Sequence, residues 1–183
     1  MSELVSIIIP TYKGHRYVGR AIKSVQNQTY SNIEIIVVDD NGMGSEEQIK
    51  TQKVLEPFLT DERIHYVVHN VNKNGSAARN TGVRNSKGKY IALLDDDDEY
   101  LPEKIQMEVN AFSEMDDSWG MVYCSSDKNA CIQKKSGDLL YDLLLHTVVI
   151  GSNSFLVRRQ IWETLDGFDE SFKRHQDFEF TAR

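Results

Sequence analysis

The chain alternates short apolar runs with longer segments whose apolar residues recur three and four positions apart. Val5-Ser6-Ile7-Ile8-Ile9-Pro10 is a β-branched run stopped by proline and predicts a first strand. After the loop Thr11-Tyr12-Lys13-Gly14, the spacing of Tyr17, Ala21, Ile22 and Val25 predicts an amphipathic helix to about Gln28. Ile33 to Val38 predicts a second strand, followed by a polar helix with Ile49, Val54, Leu55 and Phe58 as its expected buried stripe. Ile64 to Val68 predicts a third strand, Asn72-Lys73-Asn74-Gly75 a turn, and Ser76 the capped start of another helix. Tyr90 to Leu94 reads as a strand buried on both faces. Pro102 suits the first turn of the next helix, whose core face is Ile105, Val109 and Phe112.

The second half is less regular. Met121 to Cys124 predicts a strand, Asp127 to Ser136 an unpatterned polar loop, and Leu139 to Leu145 either helix or strand. Ser154 to Val157 reads as a strand, Gln160 to Leu165 as a short helix, and Gly167-Phe168-Asp169-Glu170 as a turn. His175-Gln176-Asp177 opens a last helix. Alternation of strand and helix through the first half implies an α/β domain with a mostly parallel central sheet and right-handed crossovers. With no repeat and no linker, residues 1–183 read as one domain.

Composition narrows the classes. At 40% hydrophobic and 27% charged residues the chain reads as an ordinary soluble domain. A net charge of −7 argues against a nucleic-acid surface, though not against a nucleotide whose diphosphate a metal neutralises. Cys124 and Cys131 are too few for a disulfide framework and lack zinc-site spacing, so both read as thiols in a reducing compartment. No apolar run is long enough to span a membrane and Met1-Ser2-Glu3 lacks a basic start, which gives a cytoplasmic expectation. His15, His65, His69, His146 and His175 show no paired ligand spacing.

The chemistry gathers at strand ends. Asp95-Asp96-Asp97-Asp98 follows one strand and Asp39-Asp40-Asn41-Gly42 another, and a parallel sheet brings such ends to one rim, where ligands bind. Four adjacent anions repel one another unless something compensates, and a divalent cation with oxygen ligands does so. A solvated acidic turn before Pro102 is the plainer alternative. Arg79, opening a nearby helix, suits a phosphate, as do helix N-terminal amides. Neither a GxxxxGK[ST] nor a GxGxxG sequence is present. The residues alone therefore point to a nucleotide-like ligand with a metal.

Val5–Tyr12, Ile36–Gly42, Asn74–Asn80 and Leu94–Asp98 resemble, in order and spacing, the motifs of family 2 glycosyltransferases. Gly151-Ser152-Asn153-Ser154, Gly167–Glu170 and Gln176-Asp177 extend the resemblance over essentially the whole chain. The resemblance implies a GT-A fold, a Rossmann-like three-layer sandwich. It also implies inverting transfer of a sugar from a nucleotide-sugar, usually a UDP-sugar, to the hydroxyl of a saccharide or lipid-linked acceptor. Pro10, Thr11 and Tyr12 then match the segment against the base, and Asp40, beside Asp39, the carboxylate that reads its imide. Arg79 matches a basic residue near the base and phosphates. Asp95, Asp96 and Asp97 overlie the DxD signature, with Asp97 first and Asp95 next as ligands of Mn²⁺ or Mg²⁺, and Asp95 or Asp96 toward the ribose. The register across Asp95–Asp98 is open by one. Asp177 matches the general base, and Gln176 stands where many members have Glu.

Plainer roles exist for several of these residues: a core tyrosine for Tyr12, a surface helix position for Arg79, a helix N-terminal carboxylate for Asp177. Residues to about 100 correspond to the family's nucleotide-sugar half and 101–183 to its acceptor half, which stops inside the motif carrying the base. The expectation is a truncated piece of a longer protein or an unusually short member. Work at the inner face of a membrane, through segments beyond Arg183, would fit assembly of cell-surface polysaccharide or glycolipid. Two other readings stand beside it. One is a nucleotide-sugar-binding module without turnover; the other is a nucleotidyltransferase, disfavoured because no glycine- and lysine-rich loop follows Ile9.

Overall fold

A computed structural model describes residues 2–124 and 135–183. Cys131 and most of the polar stretch expected from Asp127 lie outside the described residues. Six strands form one sheet: β1 (Val5–Thr11), β2 (Ile33–Asp39), β3 (Ile64–Val68), β4 (Tyr90–Leu93), β5 (Met121–Tyr123) and β6 (Phe155–Arg158), in the order β3-β2-β1-β4-β6-β5. The first four run parallel, with Ile7 of β1 between Ile35 of β2 and Ala92 of β4. β6 runs antiparallel to both β4 and β5. Among the described residues seven α-helices accompany them: α1 (Val18–Gln26), α2 (Glu46–Leu55), α3 (Gly75–Arg84), α4 (Lys104–Ser113), α5 (Leu140–Leu144), α6 (Arg159–Thr164) and α7 (Gln176–Ala182).

Period-two alternation divides the central strands between two cores. Ile7, Ile9, Ile35 and Val37 pack on one face with Ile22 and Val25 of α1, Leu55 of α2 and Ile105 and Phe112 of α4. Ile8, Ile36 and Val38 pack on the other with Ala78 and Val83 of α3, Trp162 of α6 and Phe180 of α7. Both faces of β1 and β2 are thereby covered, and their continuous apolar sequence follows from that. The result is an α/β sandwich with the mostly parallel sheet that the strand–helix alternation implies, in the three layers that the family resemblance implies.

Two local expectations are corrected and one open reading is settled. The cap of α3 is Asn74 rather than Ser76: its side chain accepts from Ala77 N–H, and Asn tolerates the positive φ of 81° found there. The buried side of α2 is Gln48, Thr51 and Leu55, while Ile49 is exposed. Gln48 earns that position by hydrogen-bonding Gly44 N–H and the Tyr66 hydroxyl, so a polar network occupies part of the expected apolar stripe. Leu139 to Leu145 resolves as the short α5, with Leu143 buried and Leu144 exposed.

One buried carboxylate ties the sheet to its connections. Glu34 of β2 accepts from Ser6 Oγ at 2.7 Å and from the backbone N–H of Lys87 at 2.5 Å and Gly88 at 2.9 Å, which fixes the turn entering β4. Glu34→Leu takes the acceptor from Ser6 Oγ and Lys87 N–H, while Gly88 N–H keeps Ser6 Oγ at 2.8 Å. At about 1–3 kcal/mol for a buried group left unpaired, it should lower unfolding stability by several kcal/mol in urea titrations. Glu34→Gln, which retains an acceptor oxygen, should cost clearly less.

Candidate functional site

The parallel strands β1, β2 and β4 end at one rim, and the N-terminus of α3 opens beside them. A cavity of about 380 Å³ lies there. Pro10, Thr11 and Tyr12 at the end of β1 form one wall, and Asn72, Asn74 and Gly75 form another. Arg79 and Ala78 of α3, Asp40 after β2 and Asp95, Asp96 and Asp97 after β4 complete it. The rim thus brings together most of the residues singled out in the sequence.

The four consecutive aspartates have four different surroundings. Asp95 accepts from Arg79 Nη2 at 2.5 Å. Asp96 turns inward, where burial, followed by the charges of Asp97 and Asp95, raises its pKa. Asp97 is exposed, and its carboxylate has no hydrogen bond or ion pair among the described residues; only its backbone carbonyl is engaged, by Arg20. Asp98 faces away from the cavity and accepts from Asn153 Nδ2, with its pKa raised chiefly by burial.

Asp40 sits deep at the other end, 2% exposed. Its Oδ1 meets His69 Nδ1 at 2.7 Å and Lys73 N–H at 2.8 Å, and its Oδ2 meets Asn72 Nδ2 and Asn74 N–H, both at 2.9 Å. Those contacts fill the roughly four acceptor positions of a carboxylate, so Asp40 builds the wall from His69 to Asn74. His69 passes the network on to Thr81 Oγ1 at 3.0 Å. Asp39 is fully buried and lies outside the cavity lining, accepting from the Tyr66 hydroxyl at 2.6 Å and Asn41 N–H at 2.9 Å. Tyr12 is 52% exposed, with Lys13 Nζ 5.1 Å from its ring centre, and is not a core tyrosine. Arg79 is buried, not a surface position, and its guanidinium lies 5.8 Å from the Phe168 ring centre.

Among the described residues, three buried side-chain atoms lack a hydrogen-bond partner: Thr11 Oγ1, Arg79 Nε and Asp96 Oδ2. All three residues line this cavity. Thr11 Oγ1 and Asp96 Oδ2 close around Gly14, where an added Cβ would fall 1.7 Å from Asp96 Oδ2. Since buried polar groups are nearly always paired, an orphaned guanidinium donor, a hydroxyl and a carboxylate around one cavity mark a place built for something polar.

No group of three or more His, Cys, Asp or Glu among the described residues is arranged to hold a metal ion. A magnesium-type site does not need one, because such ions use one or two carboxylates and substrate phosphates for the rest. Asp97, exposed and unpaired, with Asp95 or Asp96 beside it, fits that donor set.

The model for glycosyl transferase family 2 matches residues 6–170. The chain belongs to glycosyl transferase family 2. An uncharacterised glycosyltransferase of Rickettsia prowazekii is 35% identical over 191 residues, covering 97% of this chain and 57% of that protein. A UDP-Glc:α-D-GlcNAc-diphosphoundecaprenol β-1,3-glucosyltransferase, WfgD, of Escherichia coli is 36% identical over 107 residues, covering 58% of this chain and 40% of the relative. The solved mannosyltransferase of Pyrobaculum calidifontis, in complex with GDP-Man and Mn²⁺, superposes with a TM-score of 0.72 at 18% identity, over 98% of this chain and 52% of that one. The fold is therefore that of GT-A glycosyltransferases, and the chain spans little more than half of the first of these relatives.

Asp177, at the start of α7, is half-buried, accepts from Phe178 N–H at 2.9 Å and does not line the cavity. Sequence reasoning missed the contributions of His69, Asn72 and Asn74. The Asn-Lys-Asn-Gly turn signal was visible, but its tie to a carboxylate 32 to 34 positions earlier was not.

The raised pKa of Asp96 means its ionised form is disfavoured in the fold. The fold therefore loses stability as pH rises above the ordinary carboxylate value, and the penalty is fully present above the raised one. Asp96→Asn should relieve it, raising the thermal midpoint at pH 7 by the equivalent of about 0.5–2 kcal/mol. In melts between pH 3 and 7 that gain should vanish toward the acid end, where both states are protonated.

Proposed function

We propose that this cavity holds the nucleotide and diphosphate of a sugar donor, and that the family 2 domain transfers the sugar with inversion to an acceptor hydroxyl. The carrying observation is the set of orphaned atoms, Thr11 Oγ1, Arg79 Nε and Asp96 Oδ2, on the wall of one cavity. A nucleoside diphosphate answers the unpaired guanidinium donor with its phosphates and the unpaired Asp96 carboxylate with its ribose hydroxyls. The exposed ring of Tyr12 offers a surface for the base, and the Asn72–Asn74 wall bounds its polar edge. Asp40 can receive an imide N–H by releasing the Asn72 side chain, which is exposed where its other side-chain partner, His69, is buried. Asp39, turned toward Tyr66 and Asn41, holds the end of β2.

Asp97 would hold Mn²⁺ or Mg²⁺, with Asp95 as the second carboxylate and Asp96 toward the ribose. When bound, the metal acts as a Lewis acid that stabilises charge on the departing diphosphate. Asp177 accepts the proton of the acceptor hydroxyl as it attacks the anomeric carbon from the opposite side. The donor nucleotide in this reading is UDP, supported by the UDP-glucose donor in the name of WfgD. That relative's diphosphoundecaprenol acceptor supports a lipid-linked saccharide and a role in surface polysaccharide or glycolipid assembly. No helix among the described residues is long and apolar enough to cross a membrane; in this reading the domain works from the cytoplasmic side.

Calorimetric titration with UDP, GDP and CDP, with and without Mn²⁺, tests the donor site. UDP should bind in a metal-dependent way, and Asp97→Asn should weaken it at least tenfold. Asp177→Asn should leave that binding unchanged while reducing UDP release from a UDP-sugar by roughly 10²–10⁴-fold. Absence of nucleotide binding by a folded protein at about 1 mM ligand (about −4 kcal/mol) would sink the reading.

A further inference from the structure

The nucleotide cavity and the proposed base belong to different halves of the chain, and the structure joins them through one side chain. Ser76 Oγ, in the first turn of α3, donates to Gln176 Oε1 at 2.5 Å, with a weaker contact to Phe172 O at 3.4 Å. Gln176 is the first residue of α7 and the neighbour of Asp177. The residue before it, His175, has a φ of 58°, so the helix begins from a backbone position that local sequence does not favour. Something outside α7 must hold its start in place. Ser76, fully buried and rigid within α3, is suited to that.

The other end of the amide has a separate surrounding. An added Cβ on Gly75 would fall 2.9 Å from Arg79 Nη1 and 3.4 Å from Gln176 Nε2. The guanidinium and the amide therefore share the space that this glycine leaves open. Both are donors and neither satisfies the other. Arg79 meets Asp95 on one side, and its Nε has no partner. A carboxylate in place of the amide would put a second anion beside this guanidinium.

We propose that Gln176 is a positioning residue with two separable effects, resting on the reading of Asp177 as the base. Its carbonyl oxygen, held by Ser76, fixes Asp177 relative to the donor cavity. Its uncharged amide leaves those donors of Arg79 that Asp95 does not engage open to the donor's diphosphate.

The two effects predict opposite kinetic signatures, measured as UDP release from UDP-glucose and UDP-N-acetylglucosamine alongside UDP binding by calorimetry. Gln176→Ala removes the link: turnover at saturating donor should fall by about 10–100-fold, as expected for a displaced catalytic group, with UDP affinity within about twofold of wild type. Ser76→Ala deletes the same hydrogen bond from the other partner, so its turnover loss should match, and the double variant should add nothing further. Gln176→Glu restores the acceptor oxygen and should regain turnover at saturating donor. The same variant should weaken UDP binding about tenfold, the scale of one charge-assisted hydrogen bond. A purely structural role would lower turnover and affinity together with the melting temperature in all variants, and would overturn the proposal. So would wild-type turnover in both Gln176→Ala and Ser76→Ala. If the wild type releases no UDP, or Asp177→Asn retains full turnover, the reading of the site fails first, and the proposal falls with it. If Gln176→Ala does not fold, the Ser76→Ala and Gln176→Glu pair alone decides the outcome.

Discussion

Crowding four carboxylates at the end of one buried strand is the constraint around which this molecule is arranged. Like charges at adjacent positions repel, and partial burial sharpens that repulsion by removing water. The fold answers residue by residue. Asp95 has an arginine, Asp98 an asparagine from the turn before β6, Asp97 has solvent, and Asp96 is left with an unpaired oxygen. The turn is thus stable enough to exist without ligand and remains incompletely satisfied. A ligand bearing both phosphate and a cation is the chemical complement of that remainder.

The rest of the rim follows from how Arg79 is delivered. It belongs to a helix whose cap, Asn74, is positioned by Asp40, which is itself held by His69 and the backbone of the same loop. A carboxylate after β2 therefore orders the helix that answers the carboxylates after β4. The long-range contacts lie among short polar side chains in fixed loops rather than among flexible surface chains, which limits the entropy lost when a ligand arrives.

Much of the architecture was legible in the sequence because its main signals are local. β-branched runs such as Val5–Ile9 and Ile33–Val38 have one way to be buried, and the strand ends carry their acidic residues by simple adjacency. Illegible features depended on partners far along the chain. Ile49 reads as core, yet the polar network of Gln48 and Tyr66 takes its place. Glu34, a charged residue inside the β2 run, is buried with Ser6 Oγ and the backbone N–H groups of Lys87 and Gly88 as its donors, partners that lie far along the chain. The acidic run shows how far composition reaches: it marks the site, but only three-dimensional neighbours separate the exposed Asp97 from the engaged Asp95 and Asp98.

The seam between α3 and the segment from Phe168 to Gln176 carries a consequence for how such domains diversify. Asn80 accepts from Phe168 N–H at 2.9 Å and donates to Phe168 O at 2.8 Å, imitating with a side chain the paired bonds of a sheet. Asn74 reaches Glu170 O at 3.1 Å in the same seam. The backbone of one half is thus read by the amides of the other. Exchange of everything after residue 100 for the equivalent part of a cousin would preserve these bonds even where the side chains differ, since main-chain atoms are common to all. A one-residue insertion between Phe168 and Glu170 would break the match at once. Recombination at this junction is therefore tolerant of substitution and intolerant of length change.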